Sequence, residues 1–416
     1  MNKTITFIIL LFATSIFSQE QITLNDCYQL LTTNFPLVKQ NALLESQNTL
    51  EKNTIKAANL PEINISAQAT YQSDVIEIPI QNAGITPLNK NQYRTTIYVN
   101  QLIYGGGIID ASLNAKSVDL KTKQKQVEVN IYQLKKQVNQ LYFSVLLTQD
   151  KKDLLIEKKT LLNSKLKEIK SGIKNGVLLP TSDKIIEVEL LKVSQHFSEI
   201  ELNKASLIKT LSSLIGKDIN RNSSFENTII ITEFNTEISR PELELFQLKK
   251  EQIETSENLI SKENSPKLIG FANGGYGNPG LNMLDNSFQS FYTVGIKLNW
   301  KILDWNANKM KRESLIINKD IIDTEAEIFK LNTNIELEQQ QSEIQKLEGF
   351  IASDLDIIQL RKDVLKSSAS QLKNGVITSS SYITELTNLY EDENMLSTHK
   401  IQLQLAKANY NITKGK

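Results

Sequence analysis

A chain of 416 residues that is 40% hydrophobic and 23% charged is too apolar to be disordered and too polar to be a bundle of membrane-spanning helices. Its 47 basic side chains balance 47 acidic ones, which gives no reason to expect a nucleic-acid partner or a general attraction to anionic lipid. The single cysteine, Cys27, excludes an intrachain disulfide and a cysteine-based zinc site.

The N-terminus carries Lys3, an apolar run from Ile5 to Phe17, and then Ser18-Gln19. This pattern predicts a secretory signal peptide over residues 1–18. The run is shorter than the ~18–20 residues a spanning helix needs. Cys27 lies well beyond it, among Asn25 and Asp26, so it is not a lipid-attachment cysteine. No later segment is long and apolar enough to cross a bilayer as a helix. If the exported chain crosses a membrane, it does so as strands.

The mature chain reads as two copies of one unit. Asn175-Gly176-Val177 recurs 199 positions later, 175 becoming 374, as Asn374-Gly375-Val376; Gly216-Lys217 recurs at the same offset as Gly415-Lys416. Upstream, Pro36, Pro61 and Tyr71 recur 205 positions later, 36 becoming 241, as Pro241, Pro266 and Tyr276. We therefore divide the chain into a first repeat (19–217), an inter-repeat segment (218–238) and a second repeat (239–416). A period this long fits a duplicated domain and not a solenoid.

Each repeat opens with a helix that ends at a proline: about Asn25–Asn59 before Pro61, and Glu242–Asn264 before Pro266. Pro36 and Pro241 sit early in these segments, where a first-turn proline is tolerated. The period then switches to two. Ile63, Ile65, Ala67, Ala69 and Tyr71 alternate with Asn64, Ser66, Gln68 and Thr70, which predicts a strand with one apolar face. A loop with Pro79, Gly84 and Pro87 leads to a second strand, Tyr93–Ile103, with Ile97, Val99 and Ile103 opposite Tyr98 and Leu102. The second repeat predicts strands at Leu268–Tyr276 and Phe288–Lys301, the latter with Phe288, Tyr292, Val294, Ile296, Leu298 and Trp300 on one face.

Tyr104-Gly105-Gly106-Gly107, or Leu303-Asp304-Trp305-Asn306, then turns the chain into a long helix. In the first repeat it spans about Gly107–Ile173, with Val127, Ile131, Leu134, Val138, Leu141, Val145, Leu155, Leu162, Leu166, Ile169 and Ile173 forming a heptad-type stripe. A helix of that length runs ~100 Å. It stops at Asn175-Gly176, or Asn374-Gly375, and a return helix follows. The return stripes are Ile186, Leu190, Val193, Phe197, Ile200, Leu207, Leu211 and Leu214 in one copy, and Leu389, Leu396, Leu403, Ala406 and Tyr410 in the other. Ile229-Ile230-Ile231 predicts a short strand between the repeats. The fold class is mainly α with a small β part: long antiparallel, coiled-coil-like hairpins plus four strands.

Four amphipathic strands of ~9–11 residues match tilted transmembrane strands. Four cannot close a barrel, and open edges are not tolerated in lipid. Several chains must therefore share one barrel. The alternatives are a soluble α+β protein whose hairpins pair in an ordinary sheet, or a periplasmic coiled-coil scaffold or adaptor without a pore.

Taken together, the signal peptide, the duplication, Leu60-Pro61, the strand–loop–strand units, the Gly-rich turn into a very long helix and the Asn-Gly-Val tips resemble the TolC-like outer-membrane efflux proteins. The likeness lies in the order and spacing of parts along the whole mature chain. It implies a homotrimer with one shared twelve-stranded β-barrel in outer-membrane lipid and a trimeric α-barrel in the periplasm. The function it implies is the exit duct of a tripartite efflux or type I secretion system. Its partners would be a periplasmic adaptor (a membrane fusion protein) and an inner-membrane pump of RND or ABC type.

The resemblance also marks the tips. Gly176, Val177 and Leu178, with Gly375, Val376 and Ile377, correspond to the family's adaptor-contacting motif. Ser182 and Ser381 stand six residues past the glycines, where acids are common in the family, with Asp183 one position away. The family's charged gate falls on Leu372, Ile377, Ser381 and Thr384 here, so that network is not expected. Asp354 and Asp356 are candidate tunnel residues, since a ring of acids from several subunits would favour cations; a solvated helix face is the simpler reading. Gly105–Gly107 is followed by no nucleotide-binding pattern. His196 and His399 are the only histidines and neither clusters with Cys or a second His. The sequence shows no nucleophile–base signature, so no enzyme, cofactor or metal site is expected.

Overall fold

The structure, a computed structural model, describes residues 21–76, 86–234 and 237–416. The expected signal peptide, and Pro79 and Gly84 of the first strand–strand loop, lie outside these residues.

Along the chain, β1 (Gln21–Ile22) leads into α1 (Leu24–Asn34). A capping box fixes the start of α1: the Asp26 N–H donates to Thr23 Oγ1 at 3.1 Å and the Thr23 N–H donates to Asp26 Oδ2 at 3.1 Å. Phe35 is extended ahead of Pro36, which opens a 3-10 turn (Pro36–Val38) before α2 (Lys39–Ala57). The predicted single helix Asn25–Asn59 is therefore divided. Pro36 stands beyond the first turn, where its missing N–H breaks the ladder. Pro241, by contrast, begins its helix, and nothing before it is helical in the second repeat, so α1 has no counterpart there.

β2 (Glu62–Tyr71) and β3 (Asn91–Tyr104) come next, then α3 (Ile108–Gln133) and α4 (Lys135–Lys174). The predicted helix Gly107–Ile173 thus has one interruption, at Leu134, whose N–H donates to Ile131 O at 3.1 Å in a tightened turn. There follow α5 (Ser182–Ile215), β4 (Ser224–Phe225), α6 (Pro241–Glu263), β5 (Lys267–Asn278), β6 (Gln289–Asn299), α7 (Ala307–Lys373) and α8 (Ser379–Lys414). At 1.5 Å per residue, the 67 residues of α7 make it about 100 Å long. The strand-to-helix turns of the two repeats share a backbone: Gly106 and Gly107 have φ of 67° and 82°, and Trp305 and Asn306 have 55° and 65°. Two left-handed residues in succession suit glycine, and the second repeat adopts them with a side chain at both positions.

The chain divides into two spatial units, each drawing on both repeats. The first comprises the chain up to Lys39, Val127–Pro241 and Ile328–Lys416; the second comprises Gln40–Gln126 and Glu242–Glu327.

In the first unit, α4, α5, α7 and α8 share an apolar core. Leu155, Leu162 and Ile169 on α4 and Ile358, Leu365 and Leu372 on α7 recur every seven residues, against Ile186 and Val193 on α5 and Tyr382, Leu386 and Leu389 on α8. A second cluster joins Leu337, Ile344 and Leu347 of α7 to Leu403 and Tyr410 of α8. On α5 the buried residues at the far end are Ile208, Leu211 and Ile215, not the predicted Leu207 and Leu214. A straight helix drifts against a seven-residue repeat, and one residue of drift changes which side chain faces inward. β1 and β4 pair in parallel, Gln21 with Ser224 and Ile22 with Phe225. The predicted strand at Ile229–Ile231 is absent. Ile229 and Ile231 are exposed, and the Ile230 N–H donates to Gln404 Oε1 at 2.7 Å instead of to a strand.

In the second unit, β2, β3, β5 and β6 form one antiparallel sheet in that order. Its helices bury Ala111, Val118 and Leu245 and are also joined by ion pairs. α6 and α7 run antiparallel along four ion pairs: Glu263–Lys311 (3.0 Å), Glu257–Arg312 (2.9 Å), Glu254–Lys319 (2.5 Å) and Lys250–Asp323 (2.8 Å). α2 meets α3 through Glu51–Lys116 at 2.8 Å. Such exposed pairs contribute roughly 0–1 kcal/mol each. They set register more than they stabilise.

Candidate functional site

Two surfaces stand out, one in each unit. The first is the sheet. Its register sorts the strand residues onto two faces, except at Ile103, where a shift between Leu102 and Tyr104 leaves it without a partner in β5. Ile63↔Val99, Ile65↔Ile97 and Ala67↔Thr95 pair across β2 and β3; Val99↔Ala272 and Ile97↔Gly274 pair across β3 and β5; Ala272↔Val294, Gly270↔Ile296 and Leu268↔Leu298 pair across β5 and β6. These residues share one face, as their alternation predicted. No charged side chain stands on that face, and Ile63, Ile65, Ile97, Val294, Ile296 and Leu298 are all exposed. Water has no reason to tolerate so much bare aliphatic surface on a regular sheet. Aromatic side chains mark both ends of the band. At the loop end, Phe288 stacks on Tyr276 and Tyr93, with centroids 5.5 and 6.3 Å apart. At the helix end stand Tyr104, Trp300 and Trp305, all exposed. Amphipathic rings at both borders of an apolar band are the arrangement a lipid–water interface favours. The last strand is Gln289–Asn299, so Phe288, Trp300 and Lys301 of the predicted strand flank it.

The opposite face is polar, with Asn64, Gln68, Thr96, Asn100, Asn273, Thr293 and Lys297. Two glycines there lie beneath rings. A Cβ at Gly295 would stand 2.7 Å from the Phe271 ring, and one at Gly275 would stand 2.5 Å from Phe291. Each ring covers the glycine opposite it on the neighbouring strand. Ladder bonds to one side only leave β2 and β6 as edges.

The second surface is the pair of hairpin tips. Asn175-Gly176 and Asn374-Gly375 end α4 and α7 in the same way. Gly176 and Gly375 both have φ of 70°, and the Val177 and Val376 N–H groups reach back to Gly172 O and Gln371 O at 2.9 Å each. This is the Schellman stop, in which the left-handed residue turns the chain out of the helix. The tips touch: a Cβ at Gly375 would lie 3.2 Å from Val177 O.

The predicted tip residues divide into two kinds. Val177 and Val376 are 54% and 71% exposed. Leu178 and Ile377 turn inward and pack against the four-helix core, with Leu178 lying on Gly172. Leu179, which the sequence reading passed over, is 68% exposed. Its signal is its place one residue beyond the anchoring Leu178.

The polar candidates scatter. Ser182 is buried and Asp183 half-buried in the first turn of α5, where an acid complements the helix dipole. Ser381 is exposed and donates its N–H to Thr378 Oγ1 at 3.2 Å, an N-cap bond. Asp354 and Asp356 do not form one acidic face. Two positions apart on a helix, they point to different sides. Asp354 lies 2.6 Å from His399 Nδ1 between α7 and α8, while Asp356 is exposed. Leu372 of the family's gate is buried in the core.

A charged contact absent from the sequence reading lies near the tips. Lys158 of α4 and Glu189 of α5 are both buried, with Nζ 2.8 Å from Oε1, and the ammonium sits 4.6 Å above the Tyr390 ring of α8. Burial alone would raise the Glu189 carboxyl. The Lys158 hydrogen bond and charge outweigh burial and hold it below the ordinary glutamate value. Among the described residues, no group of three His, Cys, Asp or Glu could hold a metal ion, and no helix is long and apolar enough to cross a membrane.

The sequence matches no protein-family profile and no curated protein. Solved structures do match. The chain is similar to the outer membrane protein VceC from Vibrio cholerae, at 14% identity and a TM-score of 0.65, over 94% of this chain and 96% of that one. It is similar to CusC, described in connection with transmembrane channel formation, at 10% identity and a TM-score of 0.69, over 94% and 92%. It is similar to the Campylobacter jejuni CmeC outer membrane channel at 15% identity and a TM-score of 0.65, over 94% and 85%. Nothing in these likenesses favours a pore-less scaffold. Nearly end to end, the chain has the fold of these outer-membrane channels, which is the fold that its resemblance to the TolC-like family implied.

Proposed function

We propose that this protein is an outer-membrane exit duct, the passive final conduit of a tripartite efflux or type I secretion system. The observation that carries this reading is the sheet. Its exposed face is apolar, uncharged and bordered by aromatics, and it has two open edges. In lipid an unpaired edge costs several kcal/mol per backbone group, so the edges must be closed by other copies. Three chains would give a twelve-stranded barrel, with the polar face lining the lumen and the helical part in the periplasm.

The tips are where a periplasmic adaptor would dock, through Val177, Leu179 and Val376, with the glycines shaping the turn. An inner-membrane pump of RND or ABC type would supply the energy. A conduit needs neither cofactor nor catalytic residue, so we assign no enzymatic activity.

The test is extraction of the full-length protein from membranes in mild detergent, with the mass of the particle measured. The expected result is a stable trimer that resists SDS and withstands dilution. A monodisperse monomer that keeps its strand content by circular dichroism would sink the shared barrel, because four strands cannot hide their edges alone.

A further inference from the structure

We propose that the barrel lumen is electropositive and admits anionic solutes in preference to cationic ones. The inference rests on the exit-duct reading above and goes beyond it to the charge class of the solute.

The four strands contain four charged residues: Glu62, Arg94, Lys267 and Lys297. Register places all four on the polar face. Glu62 pairs with Asn100 and Arg94 with Gly277; Lys267 pairs with Asn299 and Lys297 with Ile269. Three cations against one carboxylate leave an excess of positive charge on the surface that would line the lumen, and every further copy adds the same excess.

These charges are not cancelled locally. The Arg94 guanidinium donates to Pro279 O and Gly280 O at 3.3 Å each and lies 5.3 Å from the centre of the Phe291 ring. Neutral partners hold the group in place and leave its charge intact. Lys267 and Lys297, on neighbouring strands, are close to one diagonal pair, and neither meets a carboxylate among the described residues. Glu62 takes a hydrogen bond from Asn64 Nδ2 at 3.0 Å. It stands on β2, with β3 between it and β5. Register sets Glu62 level with Asn100 and so with Phe271, four residues along β5 from Lys267. Two strand spacings across and four residues along put it about 16 Å from the Lys267 backbone. That is about two Debye lengths at physiological salt, so the acid screens the lysines poorly. A narrow lumen with low-dielectric walls focuses the remaining field, and rings of Arg or Lys favour anions. The acids Asp354 and Asp356 lie on α7, outside the sheet, and do not alter the sign of this section.

The experiment uses full-length protein in intact cells, so that the outer mouth is reached even when the helical end is shut. Single cysteines are placed at Thr293, on the polar face, and at Val294, on the apolar face; the native Cys27 is buried. Each is treated at low ionic strength with an anionic and a cationic methanethiosulfonate of similar size, and the ratio of their rates is divided by that for free cysteine. At Thr293→Cys the anionic reagent should react faster. Adding Arg94→Gln and Lys297→Gln should lower the ratio about tenfold, the low end of what charge-lined clefts do to encounter rates. Glu62→Gln should raise it, a change of opposite sign that misassembly would not produce. A ratio at or below that of free cysteine, or one indifferent to all three substitutions, overturns the proposal. Labelling at Val294→Cys as fast as at Thr293→Cys brings down the duct reading itself, and this inference with it.

Discussion

At the scale of single residues, two carboxyls between helices, Glu189 buried and Asp150 half-buried, make opposite predictions. Glu189 is stabilised by Lys158, and its carboxyl is held below the ordinary glutamate value. A depressed carboxyl contributes stability that is present above its unfolded value and lost as pH falls through its folded value. Wild type should therefore weaken below about pH 4.5, the ordinary glutamate value, and Glu189→Gln should flatten that acid limb. Lys158→Ala strands the carboxylate and should cost about 3 kcal/mol in urea titrations at neutral pH, the low end for a broken buried pair because both residues also line an open groove with Val188, Ile383 and Tyr390. Asp150 is the reverse case. Burial raises its carboxyl, only partly offset by the Ser397 hydroxyl, which donates to it at 2.9 Å. Its charged form costs the fold stability once pH passes the unfolded value. Asp150→Asn should raise the melting temperature at pH 7, and the gain should vanish in acid. A lower melting temperature at pH 7 would mean that the charge is needed where it sits.

At the scale of elements, two neighbouring positions on β6 should respond in opposite ways. Val294 and Ile296 stand on the apolar face and Thr293 on the polar one. Val294→Arg or Ile296→Arg should oppose barrel assembly by about 2–4 kcal/mol per chain at mid-bilayer, while Thr293→Arg should be mild. Heat-modifiable migration of outer-membrane fractions reads this directly, and equal assembly of all three variants would reverse the faces. The tips divide in the same way. Val177→Asp with Val376→Asp changes exposed side chains and should leave the particle intact while abolishing export and adaptor crosslinking. Leu178→Asp or Ile377→Asp puts a charge against the four-helix core and should destabilise the bundle itself. Normal crosslinking in the valine double variant would remove the tips from the mechanism.

At the scale of the whole molecule, the amount of apolar surface left exposed is the argument for assembly. Besides the sheet, α7 carries a second stripe, Ile317, Ile321, Ile328, Leu331 and Ile335, all exposed. Its spacings of four, seven and three repeat the heptad logic of the buried stripe on another side of the same helix. One helix with two heptad seams is built to be flanked twice. Ile328→Glu with Leu331→Glu should therefore weaken the oligomer while leaving helix content unchanged by circular dichroism. Retention of the proposed trimer at native stability would show that this stripe faces solvent.

Much of this could be read from the residue order, because local periodicity carries it. The alternation from Ile63 to Tyr71 and the heptads from Leu155 to Ile169 each assign a face without reference to anything distant. Asn-Gly at 175 and 374 marked the helix stops because a left-handed residue is cheap there. Tertiary structure decided matters that depend on two segments at once. It paired Gln21–Ile22 with Ser224–Phe225, two short segments too distant for any local pattern to join. It turned Leu178 and Ile377 inward while leaving Val177 and Val376 exposed, although all four are aliphatic, because only two of them point back over the core. It set Asp354 against His399 and Lys158 against Glu189, contacts between helices that spacing within one helix does not contain. It also gathered the four charged strand residues onto one face. Each strand determines its own alternation, but only the hydrogen-bonded register makes four separate alternations into one surface.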